Sequence, residues 1–345
     1  MAKPTYILGI ESSCDDTSAA VIANGIMLSN VVATQKIHEQ YGGVVPELAS
    51  RAHQQNIVPV VHQALAQANI EKKDLSAIAF TSGPGLMGSL LVGTSFAKSL
   101  AMGLNIPLID VHHMRAHILA HFIEVEGQAP PEFPFLALTI SGGHTQLVRV
   151  NDYFDMELLG ETIDDAVGEC FDKSGKILGL PYPGGPLFDK LAQQGNPKAF
   201  PFPKPKVGPY EFSFSGLKTA VLYFVQKNTA ENPKFIEENL KDICASVQYT
   251  IVDYIMDKLK NAVRDTGIKR VAIGGGVSAN SGIRQAMVDA KTELGWETFI
   301  PPFQFCTDNA GMIAMVGQLK YERENFAGYE LHAKARMPFT RPAEI

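Results

Sequence analysis

The sequence predicts an α/β protein built from two related lobes, and three observations carry that prediction. Short apolar runs alternate with longer stretches of helical periodicity, the arrangement that winds strands and helices through a sheet. A hairpin with a polar tip occurs twice, at the start of the chain and again near its middle, as expected if the two lobes share one ancestry. The 345 residues also exceed what a single hydrophobic core usually serves.

The first hairpin has an apolar strand at 6–11, the polar turn Ser12-Ser13-Cys14-Asp15-Asp16-Thr17, and a returning strand at 18–22. Residues 46–68 read as an amphipathic helix with Pro46 in its first turn, and 77–81 as a buried strand. Gly83 and Gly88 precede a long apolar helix that continues to about residue 102. They have phosphate-loop spacing, but Ser89-Leu90 stands where Lys-Ser/Thr would reach the phosphates, so they read as turn and packing residues. Pro130-Pro131-Glu132-Phe133-Pro134 connects to the second lobe. There the hairpin recurs, with strands at 135–140 and 146–150 around Ser141-Gly142-Gly143-His144-Thr145. A further buried strand, Arg270-Val271-Ala272-Ile273, leads into Gly274-Gly275-Gly276-Val277-Ser278-Ala279-Asn280 and a helix. Consecutive glycines at such a turn let backbone pass close to a flat or anionic ligand. The expected lobes are residues 1–125 and 126–307, the second with a helical insertion at about 151–265, while about 308–345 pack back onto the first.

Composition bounds the function. Hydrophobic residues at 46% and charged residues at 19% describe an ordinary globular protein, and no apolar run is long enough to span a bilayer. The first residues lead straight into a strand rather than an apolar signal core, so a cytoplasmic protein without membrane attachment is expected. Cys14, Cys170, Cys244 and Cys306 are scattered without a CxxC pair, against a disulfide framework or a zinc knuckle. Cys306 lies near Asp308 and reads as a small buried residue, with a ligand role as the alternative. A net charge of −6 predicts no general affinity for nucleic acid. A polyanion would have to meet a local basic patch, for which Lys198, Lys204, Lys206 and Arg51 are candidates, or a surface supplied by a partner.

The residues with most chemistry are His113 and His117 in His113-Met114-Arg115-Ala116-His117, followed by apolar helical neighbours. Four residues apart on a helix, both rings project from one face with Cβ atoms about 5–6 Å apart, which suits one metal ion. Paired histidines at this spacing are also common as plain surface or core residues. Asp308 stands where a loop turns into a helix and is the candidate third ligand. Two histidines and a carboxylate leave coordination positions open to substrate. Met114 occupies the position of the general base in HExxH metalloproteases, so that reading lacks its base. His121, two turns on from His113 and about 12 Å away along a helix, reads as a bystander.

Two polar-tipped hairpins plus a strand-glycine-helix element resemble the actin, sugar-kinase and heat-shock ATPase superfamily. That resemblance implies duplicated ribonuclease-H-like lobes with an interlobe active-site cleft. More narrowly, Ile10-Glu11-Ser12-Ser13-Cys14-Asp15-Asp16-Thr17, Tyr41-Gly42-Gly43-Val44-Val45-Pro46-Glu47-Leu48-Ala49-Ser50-Arg51, His112-His113-Met114, Ser141-Gly142-Gly143-His144-Thr145, Phe212-Ser213-Phe214-Ser215-Gly216-Leu217-Lys218-Thr219 and the Gly274–Asn280 turn resemble the bacterial TsaD family. These are the tRNA N6-adenosine threonylcarbamoyltransferases, once classed as O-sialoglycoprotein endopeptidases, and the similarity runs from about residue 6 to 336.

The resemblance implies transfer of the threonylcarbamoyl group of threonylcarbamoyl-AMP to N6 of adenosine 37 in tRNAs reading ANN codons, with release of AMP. It implies that His113, His117 and Asp308 hold one divalent metal ion per subunit, iron(II) being favoured and zinc(II) the alternative. Ile140, Ser141, Gly142, Gly143 and His144 would line the acyl-adenylate phosphate region, and Asp172, Gly185, Asp189 and Asn280 the nucleoside. Read without the family, Asp172 is a residue of a solvated helix face and Asn280 a helix cap. Glu11 is either a general base toward the amine or a residue that orders the hairpin tip. The resemblance implies a paralogous TsaB subunit and the TsaE ATPase as partners, with tRNA as substrate. His113→Ala is expected to abolish transfer and leave the fold intact. Competing readings are a superfamily ATPase or kinase, which needs no His-x3-His pair, and a non-catalytic scaffold, against which the retained His113, His117 and Asp308 speak.

Overall fold

The computed structural model describes residues 4–339, so the last six residues of the returning segment expected at about 308–345 lie outside the described residues. The chain divides into two units, Met1–Pro131 with Thr307–Ile345, and Glu132–Cys306.

In the first unit, β1 (Tyr6–Glu11), β2 (Thr17–Ala23) and β3 (Ile26–Ala33) form an antiparallel meander. β3 had not been expected. Its entry turn is Asn24-Gly25, both residues at positive φ (51° and 85°), the geometry that pairs adjacent strands through two residues. The helix α1 (Pro46–Gln67) follows, then β4 (Ala77–Gly83), α2 (Met87–Leu104), β5 (Leu108–His112) and the short α3 (His113–Leu119). β4 runs parallel to β1 and to β5, giving the sheet order β3-β2-β1-β4-β5. Leu8 and Ile10 of β1 point into one core with Ile57, Val61 and Leu65 of α1 and Ala97 of α2. Gly88 packs against Ser50, so α2 lies close on α1, the packing role its sequence context suggested.

The second unit repeats this plan. β6 (Phe135–Ile140), β7 (Thr145–Val150) and β8 (Met156–Glu161) form the meander, followed by α4 (Val167–Ile177), α5 (Gly184–Ala192), α6 (Ser215–Glu231) and the long α7 (Phe235–Thr266). β9 (Arg270–Gly274), α8 (Ser281–Glu293) and β10 (Glu297–Phe299) complete it. The sheet order β10-β9-β6-β7-β8 is the first unit's order with the same parallel and antiparallel neighbours. The stretch read as a helical insertion therefore begins with a strand of the sheet. Its alternation is blurred by a register shift opposite Leu147 and Val148 and by Gly160, which Tyr210 approaches closely.

After Cys306 the chain returns to the first unit through α9 (Ala310–Tyr321). α9 covers the sheet face opposite α1 and α2. Side chains alternate along a strand, so Gly9 faces away from the core shared by Leu8 and Ile10, and a Cβ there would strike the backbone of Ala310 and Ala314. Only glycine lets this helix sit directly on β1.

Candidate functional site

The first unit brings His113, His117 and Asp308 together. β5 runs straight into α3, which makes His113 its first helical residue and His117 its neighbour one turn on. The two buried rings lie 4.8 Å apart and perpendicular. Asp308 arrives from the far end of the chain. Asn309 caps α9 by accepting from the Met312 N–H at 3.1 Å, and its side-chain amide donates to Thr307 O, which fixes the loop carrying Asp308. Asp308 Oδ1 is 3.1 Å from His117 Nε2 and 3.4 Å from His113 Nε2. One ligand atom from each residue lies within 4.8 Å of the others. Asp308 keeps 28% of its side-chain surface exposed, so the cluster opens on that side.

The other nitrogen of His113 is occupied. Nδ1 lies 3.0 Å from Glu11 Oε2, with Ser13 Oγ 3.2 Å away. Glu11 closes β1 and is wholly buried. Thr81 Oγ1 donates to its Oε2 at 2.5 Å and the Ser13 N–H to its Oε1 at 2.5 Å. Burial alone would raise the Glu11 and Asp308 carboxyls and lower the His113 imidazole. The charges prevail, holding Glu11 below its ordinary value and Asp308 well below, and His113 well above. His113→Ala would therefore strand a buried carboxylate, contrary to the expectation that it leaves the fold untouched.

The donor set fits a divalent ion. Two imidazole nitrogens and a carboxylate oxygen converge on one point from a largely dry wall, with an open side for further ligands. Cys306 takes no part, because its thiol faces Pro302 O at 3.5 Å and Pro301 O at 3.8 Å within the second unit.

Beside this cluster, Asp16 has a buried Oδ1 without a partner among the described residues. Burial first, then the charges of Asp15, Asp308 and Glu11, push its carboxyl up to about 7. An ordinary aspartate titrates near 3.9, so the folded state holds this proton more tightly and loses stability as pH rises from about 4 to 7. Asp16→Asn should therefore raise the unfolding temperature of the metal-free protein at pH 8 by about 2–4 °C, the shift expected for roughly 1 kcal/mol. Differential scanning fluorimetry at pH 8 and pH 4 checks this, with the gain expected to vanish at pH 4.

The second unit gathers the remaining expected site residues. Ile140 is buried at the end of β6, and Ser141 to His144 form a tight turn, Ser141 N–H donating to His144 O at 2.8 Å and His144 N–H to Ser141 Oγ at 3.1 Å. Gly142 and Gly143 are exposed, and a side chain added at either would meet nothing within 4 Å. The turn is tied to the start of α4, whose Val167 N–H donates to Thr145 Oγ1 and Gly168 N–H to Ser141 O. Helix N-terminal amides and bare glycine amides are the backbone's means of holding a phosphate.

Asp172 on α4 accepts from the N–H groups of Gly184 and Gly185 at 2.9 and 3.1 Å, which caps α5. Burial pushes its carboxyl up against those two bonds. Asp189 on α5 accepts from Gln248 Nε2 at 2.9 Å, Ser281 Oγ at 2.6 Å and Ser281 N–H at 3.1 Å. Asn280 caps α8 through the Ile283 N–H and donates to Gln248 Oε1 at 2.9 Å. Sequence reading missed Gln248 and Ser281, which lock α5, α7 and α8 into one frame. Gln248 carries no motif signal, but Ser281 directly follows Asn280.

Asp164 explains the Phe212–Thr219 motif. It accepts from Ser213 Oγ, Ser215 Oγ and the N–H groups of Phe214 and Ser215, fastening the start of α6, while Asp165 pairs with Lys173 and Lys218. Two of the candidate phosphate contacts are already matched, Lys204 by Asp253 and Asp257 and Arg51 by Glu47.

Comparison with known proteins gives one consistent result. Residues 26–315 match the model of the TsaD family, tRNA N6-adenosine threonylcarbamoyltransferase. A tRNA N6-adenosine threonylcarbamoyltransferase of Christiangramia forsetii is 71% identical over 333 residues, 96% of this chain and 98% of that protein. One from Riemerella anatipestifer is 63% identical over 334 residues, 97% of this chain and 98% of that protein. Among solved structures, component A of (R)-2-hydroxyglutaryl-CoA dehydratase from Acidaminococcus fermentans has a TM-score of 0.53 at 15% identity, covering 92% of this chain and 98% of that one. HypF of T. kodakarensis has a TM-score of 0.57 at 17% identity, covering 93% and 48%. These two likenesses concern the fold alone.

Proposed function

From the premise that this chain belongs to the tRNA N6-adenosine threonylcarbamoyltransferase family, and so transfers a threonylcarbamoyl group to the N6 amine of adenosine in tRNA, we propose that its donor is threonylcarbamoyl-AMP. The acceptor is adenosine 37 of tRNAs reading ANN codons, and AMP is the leaving group. The observation that carries the reading is the convergence of His113, His117 and Asp308 in a chain that also presents a glycine turn at a helix start.

The N6 amine is a weak nucleophile because its lone pair is shared with the purine, so the acyl carbonyl must be made electrophilic. His113, His117 and Asp308 would hold a divalent ion, iron favoured, which when bound supplies a Lewis acid toward that carbonyl. The backbone amides of Gly142 and Gly143, in the turn that Ser141 and His144 close, would receive the adenylate phosphate and stabilise the charge it gains as the acyl–oxygen bond breaks. Asp172, Gly185, Asp189 and Asn280 would frame the nucleoside, with Gly185 tied to Asp172 through its backbone N–H and the side chains of Asp172, Asp189 and Asn280 pre-set by bonds to Gly184, Gln248 and Ser281. Glu11 has both oxygens engaged and no exposed surface, so it cannot reach the amine as a base. The amine proton goes instead to the departing phosphate, which becomes basic as it leaves.

The net charge of −6 agrees with a need for help in holding tRNA, and a paralogous TsaB subunit and the TsaE ATPase are the proposed partners. No helix among the described residues is long and apolar enough to cross a membrane, and a cytoplasmic place of action is proposed. The test is nucleoside mass spectrometry of tRNA incubated with this chain, its partner subunits and enzymatically made threonylcarbamoyl-AMP. Modified adenosine and AMP formed one for one are expected. Unmodified tRNA from folded protein in the complete system would overturn the reading in favour of a scaffold.

A further inference from the structure

We propose that Glu11 and Thr81 form a positioning relay that fixes the ring of His113 and reserves its Nε2 for a metal ion. The inference rests on the metal reading above and concerns residues that do not touch the ion.

Glu11 Oε2 receives two groups at once, Thr81 Oγ1 at 2.5 Å and His113 Nδ1 at 3.0 Å, while Oε1 receives the Ser13 N–H at 2.5 Å. Every one of these partners is buried. A carboxylate accepts only, so Nδ1 must carry a hydrogen and donate it, which leaves Nε2 as the atom facing Asp308. Thr81 sits on β4 beside β1 and sets the carboxylate's plane from the other side. The hydrogen bond from a ligating imidazole to a carboxylate fixes its orientation and raises its basicity as a ligand. His117 has no such support, since its Nδ1 is buried without a partner among the described residues. The two histidines are thus unequal, and the cluster's geometry is set through His113.

An amide cannot replace Glu11. With its oxygen toward His113 and Thr81, its NH2 would face the Ser13 N–H, two donors in opposition. Turned over, its NH2 would point at His113 Nδ1 and drive the ring's hydrogen onto Nε2, the ligating position.

Metal affinity decides the matter without reference to transfer. The full-length chain, freed of metal, is titrated with cobalt(II) and zinc(II) in competition with a chelator, following the cobalt absorption bands. Wild type should bind one ion, Glu11→Gln should bind about 10–100-fold more weakly, and Thr81→Val, which keeps the shape and removes the hydroxyl, should fall between. Altered band positions in Glu11→Gln would report the displaced ring. Wild-type affinity and spectrum in Glu11→Gln would overturn the relay while leaving the metal reading in place. Wild-type protein that binds neither ion would overturn both. Should Glu11→Gln fail to fold, Thr81→Val decides, and unchanged affinity in it sinks the proposal.

Discussion

His117→Ala is expected to reduce threonylcarbamoyl transfer by about 10³-fold or more, the rate equivalent of roughly 4 kcal/mol, and to take bound metal from one ion per chain to none. This variant is a cleaner probe than His113→Ala. His117 uses Nε2 toward Asp308 and, among the described residues, has no partner at Nδ1, so its removal strands no buried charge, whereas His113 is the counter-ion of Glu11. The cost to the fold is the space left by one imidazole, on the order of 2–3 kcal/mol, which denaturant unfolding measures. Elemental analysis and single-turnover kinetics on the same sample separate the two effects. A folded, metal-free His117→Ala enzyme with wild-type turnover would remove the cluster from the reaction.

Asp189→Ala is expected to lower stability by about 2–4 kcal/mol, because it leaves the Ser281 N–H and Gln248 Nε2 without their acceptor in a half-buried setting. The same change frees Asn280, whose amide is held through Gln248. Since α5, α7 and α8 meet at this point, the proposed nucleoside frame would come apart. The expected kinetic signature is a rise of about 10–100-fold in KM for the acyl-adenylate with a smaller change in kcat, as for groups that bind substrate and transition state alike. Unchanged KM with lowered stability would assign Asp189 to the fold alone.

The strands and hairpin turns were legible because strand alternation and polar tips are local signals, and the His113, His117 pair because helical spacing is local too. Asp308 could be named because a loop-to-helix boundary is visible in sequence. β3 escaped although Asn24-Gly25 announces it, and β8 because Gly160 and its register shift break the alternation. The supports around the sites are another matter. Glu11 meets Thr81 and His113 across 70 and 102 residues, and Asp189 meets Ser281 across 92. Such pairings follow from which strands lie side by side, and no window along the chain contains them. Asn280 shows how a plain role and a proposed one can fall on the same residue, since it caps α8 and holds Gln248 beside Asp189 within the proposed nucleoside frame.

The first unit is assembled from both ends of the chain, with β1 at one end and α9 at the other. During synthesis roughly 190 residues separate the end of α3 from the start of α9, about 10–40 s at ribosomal rates. For that interval the sheet face at Gly9 has no cover and Asp308 does not yet exist. On the proposed metal reading, an ion caught early would meet only two histidines and bind loosely, so tight loading would wait until Asp308 has been made. The first unit is in this sense proofread for length, because a chain truncated before residue 308 can complete neither its first sheet's packing nor the proposed ligand set.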